Sequence, residues 1–267
     1  MRLKRTIKKY LKVWYLMTAA SFSSFIINRS MSVLLLSGKF LRFIFFLLFL
    51  YLLVGQTKAL AGFSLNQVVF FFLTFNLIDI LVQLFLRGIY KFRSLVVSGD
   101  LDLILVRPIN VLFRSLACWT DLLDLITIIP LIIFMVIFVA QGKIVFSPIG
   151  ILLYLLLIVN SFVLALAFHI FVAGIGVITF EVDNAIWLYR DISSMGRIPI
   201  NVYMEPIRSL LTFVIPIAVL MTFPAKALMG LLSWQWVVFS FVISGVFLFG
   251  SLRFWKYALT QYSSASS

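Results

Sequence analysis

The sequence predicts an all-α protein that crosses a membrane several times. Three observations lead there. Hydrophobic residues make up 63% of the 267-residue chain and charged residues only 12%, where soluble chains are roughly 45–50% apolar. The mean hydropathy is +1.16. Several apolar runs also reach or exceed the roughly 18–20 residues that cross about 30 Å of hydrocarbon. Once those runs are set aside, no stretch remains that would make a soluble domain.

The first predicted element is an amphipathic helix at the N-terminus. On a helical wheel Leu3, Ile7, Tyr10, Leu11, Trp14 and Met17 share one face, while Arg2, Lys4, Arg5, Lys8, Lys9 and Lys12 cover the other. Such a helix lies in a membrane surface, with its apolar side down and its lysines toward anionic headgroups. No short apolar core with a small-residue cleavage site follows it, so it is read as retained. The polar stretch TAASFSSFIINRS connects it to the first apolar run. Residues 1–36 therefore form the surface helix and its connection, and 37–267 the membrane domain.

Six spans follow, at about 40–56, 67–87, 118–140, 148–173, 207–224 and 232–252. The 22 basic residues set their direction. With the N-terminus inside, nine fall in the segment through Arg42 and five in the loop holding Arg87, Lys91, Arg93, Arg107 and Arg114. Arg190, Arg197, Arg208, Arg253 and Lys256 lie on the same side, leaving only Lys58, Lys143 and Lys226 outside. Lys and Arg concentrate on the cytoplasmic side of membrane proteins, so both termini are placed in the cytoplasm. The net charge of +13 is read the same way, and not as a nucleic-acid surface.

Prolines punctuate the spans. Pro148 suits the first turn of span four, where its missing N–H costs nothing. Pro130 and Pro216 lie inside spans three and five, where each removes a backbone hydrogen bond and favours a kink. Pro224 stands where span five is expected to end, which makes FPAKALMGLLSW a partly re-entrant outer hairpin. Irregular backbone at that depth must be satisfied by protein or water.

Few residues carry chemistry. There is no G-x-x-x-x-G-K-[ST] and no H-E-x-x-H, and one histidine and one cysteine do not make the usual ligand set of a metal site. Cys118 is read as a packed thiol and His169, in span four, as a side chain hydrogen-bonded between helices. Asp79 in span two matters more, because an ionisable group within a membrane is costly and faces a cavity or a partner. Asn76 stands one turn before it and Gln83 one turn after, giving one polar stripe; Asn160 adds a polar group in span four. These four residues either bond helix to helix or line a translocation path. Asp121 and Asp124 open span three, where first-turn carboxylates complement the positive helix end, and they are placed to pair with Arg87 or Arg114.

Two inner connections are long, 88–117 and 174–206. In the first, Phe85, Ile89, Phe92 and Val96 recur at helical spacing, so span two continues along the inner surface. Gly99 ends that helix. Asp100 or Asp102 is then expected to cap a short helix before Pro108. A charged knob at the foot of two spans is suited to receive force from a soluble partner.

The segment GDLDLILVRP, with its Gly-x-Leu-Asp-x-x-Leu-x-x-Pro pattern over 99–108, resembles the permease subunits of bacterial type-2 ABC exporters. So does GRIPINVYMEPIRSLLTFVIPIAVLMTFPAKALMG, with its spacing of Pro216, Pro224 and Gly230. Within these the chain resembles a poorly characterised permease family, often predicted as multidrug- or antibiotic-type export components, and the resemblance covers nearly the whole chain. It implies a type-2 exporter fold in the bacterial cytoplasmic membrane, in contact with membrane lipids. The loop after span two would dock on a separate ATPase through Gly99, Leu101, Asp102, Leu105 and Pro108, with Arg93 and Arg107 meeting acidic groups there. Two ATPase subunits and a second permease, identical or homologous, would complete the assembly. ATP and Mg would bind in the ATPase, and no cofactor in this chain. The long charged loop with Glu181, Asp183, Arg190 and Asp191 departs from the pattern. Cargo is not written in the residues beyond an amphipathic or lipid-like class suited to 29 phenylalanines. Two rival classes stay open: an intramembrane transferase using Asp79 or His169, and a proton-coupled carrier or channel working without an ATPase.

Overall fold

The computed structural model describes residues 2–27, 29–117, 119–179 and 182–262, with the side chains of 2–5 and 24–26 excepted. The side chains of Arg2, Leu3, Lys4 and Arg5, together with Cys118, Glu181 and the Ser-rich last five residues, lie outside the described residues. Within them the regular structure is helical, apart from one isolated bridge between Leu60 and Phe63. The elements are α1 (Arg2–Ile27), α2 (Arg29–Thr57), α3 (Leu65–Leu86), α4 (Phe92–Val97), α5 (Asp100–Leu105) and α6 (Val111–Leu116). They continue with α7 (Leu122–Ala140), α8 (Pro148–Thr179), α9 (Val182–Ser194), α10 (Ile207–Ser209), α11 (Phe223–Leu228) and α12 (Trp234–Thr260). Among the described residues five helical runs are long and apolar enough to cross a membrane, or six when the bent pair over 207–228 is taken as one span. The chain is an all-α, multi-pass membrane protein, as its hydropathy predicts.

Helix α3 is the central post. Ser64 and Gln67 form a reciprocal capping box at its start, which satisfies two backbone donors that have no partner within the helix. Phe70, Phe71, Phe72, Leu73 and Phe75 are all buried, so the helix is covered on every side, as a helix apolar all round must be. It packs against α2, α7 and α8. Helix α2 is the opposite case. Leu34, Ile44, Phe45, Phe49 and Leu52 face outward from the chain.

Helices α8 and α12 pack along much of their length. Asn160 donates its side-chain amide to the Ser240 carbonyl (3.1 Å), and Phe168 meets Phe247 and Phe171 meets Phe254 at ring distances of 5.3 and 4.8 Å. Gly174 makes room for Phe254, since a Cβ there would stand 2.8 Å from its ring. At the start of α8, beside Pro148, the Gly150 N–H donates to the Ser147 hydroxyl oxygen (3.0 Å), which caps the helix.

Three boundaries differ from the hydropathy reading. The polar stretch after the surface helix is helical through Ile27, and a helix resumes at Arg29. There Ser21 and Ser23 donate their hydroxyls to the carbonyls four residues back, so serines that favour turns are satisfied inside the helix. Helix α8 runs to Thr179 and α12 to Thr260. At about 1.5 Å per residue such helices outreach the hydrocarbon, and hydropathy registers only the part inside it.

The third difference is span five. Its two halves, 207–214 and 218–228, meet at 80°, with Pro216 at the break. Pro224 does not end the span; it lies within the second half, which runs on to Leu228. Around Ala218–Thr222 the backbone is π-helical, and Phe223 bonds to the Ala218 carbonyl five residues back. The next N–H in that series belongs to residue 224, where Pro has none. Its acceptor, the Val219 carbonyl, takes the Ser161 hydroxyl instead (3.4 Å). The true end is at Gly230, with φ of 68°. Leu231 and Gly230 there bond to the Lys226 and Ala227 carbonyls (2.8 and 3.2 Å), a glycine-closed helix end. Helix α7 continues through Pro130 without a break.

Candidate functional site

The first candidate surface is the knob that follows α3. The helical run continues from α3 through Lys91 into α4 and stops at Gly99, whose φ of 76° suits a residue without a Cβ. Helix α5 then turns back. Asp100 and Asp102 sit in its first turn but do not cap it; the cap position is Gly99, with no side-chain bond. Leu101 is fully buried and Ile104 nearly so, while Leu103 is 57% and Val106 82% exposed. The knob thus has a fixed root and a free apolar ridge, Leu103, Leu105 and Val106, ending in exposed Arg107 and Pro108.

The root is anchored by close packing. Phe92 is fully buried against Trp255 of α12, with ring centroids 6.1 Å apart. Gly88 lies so close to α6 that a Cβ would stand 2.0 Å from the Ser115 carbonyl oxygen. Helix α1 crosses the same region. Tyr10 accepts a bond from the Asn110 N–H (3.0 Å) and meets Phe113 edge-on at 4.7 Å. Trp14 stacks on Phe85 at 5.9 Å, and Lys9 donates to the Pro108 carbonyl. Such aromatic pairs are each worth about 0.5–1.5 kcal/mol beyond the area they bury.

Beside the root four charges form a knot. Asp124, only 4% exposed, accepts from Lys39 at 2.6 Å and from Arg87 at 3.3 Å. Asp121 pairs with Arg87 at 2.7 Å and caps α7 through the Leu123 N–H (2.9 Å). A carboxylate buried this far needs paired cations to stay charged. The partner predicted from sequence was Arg87 or Arg114; the structure supplies Arg87 and adds Lys39 from α2.

The second candidate surface is a pair of adjoining cavities that share four lining residues. One, about 320 Å³, is lined by α2, α3 and α7, with Phe40, Phe43, Phe46, Phe72 and Phe134 on its walls. The other, about 290 Å³, is more polar and is enclosed by the end of α3 and by α9, with Gln83, Trp187 and Arg190. Arg42, Phe75, Asp79 and Arg197 line both. Arg190 reaches in from α9, donating to the Tyr90 hydroxyl (2.9 Å) with its second nitrogen 3.9 Å from Asp79. The Arg197 guanidinium lies over Phe46 and Phe75, 5.9 and 5.7 Å from the ring centres. Burial, and then the like charge of Arg42, push its pKa down.

The polar residues singled out from sequence separate into two groups. Asn76 and Asp79 face the aromatic cavity and Asp79 and Gln83 the polar one, although Asn76 also donates to the Phe72 carbonyl of its own helix (2.7 Å). Asn160 lines neither cavity and is spent on Ser240. His169 is buried, its Nδ1 placed to donate to the Ala165 carbonyl of its own helix (2.8 Å) and its ring edge-on to Tyr189. It is a packed side chain, but not the link between helices that sequence suggested. Arg93 pairs with Asp183 of α9 at 3.6 Å, so it is occupied within the chain. Sequence reasoning missed Lys39, Arg42 and Arg197 as site residues. It also passed over Leu103 and Val106, which only the buried or exposed side of α5 distinguishes from Leu101.

Among the described residues no cluster of His, Cys, Asp and Glu is arranged to hold a metal ion. No match was found among curated proteins or among solved structures. A model of the family described as ABC-2 family transporter protein matches residues 40–266, which takes in the knob, every predicted span and all the cavity-lining residues except Lys39. Five long apolar helices and the bent pair, with no strand among the described residues, agree with that match. The chain therefore belongs to the ABC-2 transporter family, as a multi-pass membrane component of a transporter whose family implies ATPase partners.

Proposed function

We propose that this chain is one permease half of an ATP-driven exporter in a bacterial cytoplasmic membrane. It pairs with a second permease, identical or homologous, above two ATPase subunits that bind ATP and Mg. Both termini are cytoplasmic, which puts the 88–117 connection on the ATPase side, and residues 1–36 act as a surface anchor for the membrane domain. The observation that carries the reading is the division of α5 into a buried root and an exposed apolar ridge. An exposed ridge of Leu103, Leu105 and Val106 rimmed by Arg107 has the make-up of a partner-binding patch. Because the root packs on α12 and α6, a push on the ridge moves the bundle and does not merely bend a loop. Two halves moved in this way exchange inward- and outward-facing states, and ATP acts by favouring one of them.

The charge knot supports the same account. Lys39, Arg87, Asp121 and Asp124 tie α2 and α7 to the end of α3 just above the knob. Motion of the knob therefore reaches α2, which walls the aromatic cavity, through charge-assisted bonds.

The test is ATPase stimulation in the purified complex. Val106→Asp combined with Arg107→Glu should reduce it at least tenfold, with membrane insertion and thermal unfolding unchanged, because both side chains are exposed. Undiminished stimulation in a correctly inserted variant would remove the ridge from the coupling path. Transport by this chain alone in liposomes without ATP would instead favour a carrier.

A further inference from the structure

The adjoining cavities have an unusual charge arrangement at their junction. Arg42 and Arg197 both face it. Burial and then the charge of Arg42 depress the pKa of Arg197. Among the described residues neither has a carboxylate within ion-pair distance, while Asp79, which lines both cavities with them, already faces Arg190 at 3.9 Å. Guanidinium groups stay protonated whatever this costs, and Asp79 offsets the effect of Arg42 on Arg197 only in part, so an added anion relieves the repulsion that is left. The larger cavity, about 320 Å³ in all, is walled away from this junction mainly by phenyl rings and other apolar side chains, with Lys39, Asp124 and Thr127 also on its lining. Its volume is within the roughly 300–1,000 Å³ usual for small-molecule sites.

We propose that the two cavities form one site for an amphiphile with an anionic headgroup, phosphate or carboxylate. The headgroup is held between Arg42 and Arg197 and the apolar tail lies in the slot of Phe40, Phe43, Phe72 and Phe134. Forked guanidinium donors suit such oxyanions, and the slot provides what a polar anion alone would not use. Arg197 is already held in place by Phe46 and Phe75, so little ordering is needed at binding. Calling the amphiphile cargo rests on the exporter reading above; its binding does not.

Dodecyl phosphate and dodecyltrimethylammonium share a tail and differ in charge, which makes them the probes. With the complex in nanodiscs of zwitterionic lipid, dodecyl phosphate should bind at least tenfold more tightly. Arg42→Gln with Arg197→Gln should lose that preference, and Arg42→Lys with Arg197→Lys should keep most of it. A photoactivatable dodecyl phosphate on the unaltered complex should mark α2 and residues 195–197, a measurement that needs no variant to fold. Equal binding of the two probes, a preference for the ammonium, or adducts confined to other helices would overturn the site. ATP-dependent movement of bound probe across vesicles identifies cargo, whereas binding without movement overturns the cargo role and makes the occupant a resident lipid. Failure of any ATPase to associate would end the exporter reading and leave the binding result standing.

Discussion

Gly88 shows how much depends on single positions in this chain. Its Cα lies under the Ser115–Leu116 backbone, and a Cβ would come 2.0 Å from one carbonyl oxygen and 2.7 Å from the next. Backbone on that side cannot rotate away as a side chain would, so the knob's root must shift. Gly88→Ala should therefore cost about 3 kcal/mol and appear as a lowered unfolding temperature in detergent. Gly38, in α2, has nothing within 4 Å of its Cβ position, and Gly38→Ala should be neutral or gain about 0.5–1 kcal/mol in helix stability. Equal effects of the two changes would refute the close approach. Ser161 is a second such position, since its hydroxyl serves the Val219 carbonyl that Pro224 leaves without a partner.

At the scale of elements, the broken span carries most of the irregular backbone. Two π-helical turns, Leu210–Val214 and Ala218–Thr222, flank Pro216, and the halves meet at 80°. If Pro216 sets the bend, Pro216→Ala restores an N–H and lets the helix straighten. Spin labels at the exposed Ile207 and Leu231 should then move apart by about 6 Å, on a rise of 1.5 Å per residue. An unchanged distance would mean that packing against α8 and α3, and not proline, holds the angle. The spans themselves were legible in sequence because each is a long apolar run, and the cytoplasmic extension of α3 because Phe85, Ile89, Phe92 and Val96 keep helical spacing. The end of span five was not. Hydropathy does not reveal that a hydroxyl 58 residues away in sequence supplies the bond Pro224 removes.

At the scale of the molecule, the same contrast separates the knob from the cleft. The knob's residues are contiguous, so Gly99, Asp102 and Pro108 could be singled out as a string, though not which of Leu101, Leu103 and Leu105 would be buried. The cleft is assembled from α2, α3, α7 and α9, and its pairings join residues such as Lys39 and Asp124, 85 positions apart. Asp79 announced itself as an ionisable group in an apolar run. Arg42 and Arg197 did not, because in sequence they are two more basic residues on a side already rich in them. Family membership and the permease role thus follow from patterns along the chain, and the proposed binding chemistry from the way the chain folds back on itself.

The central claim is that an ATPase grips the ridge of α5 from the cytoplasm and moves this chain. A photo-crosslinking residue in place of Val106, in native membranes, tests it most directly, with the same residue at exposed Ile149 on the opposite side of the bundle as reference. The account predicts that position 106 forms an adduct with a nucleotide-binding subunit, weakened or strengthened by ATP, and that position 149 does not. An adduct to such a subunit from position 149, or none from position 106 in a complex that hydrolyses ATP, would contradict it.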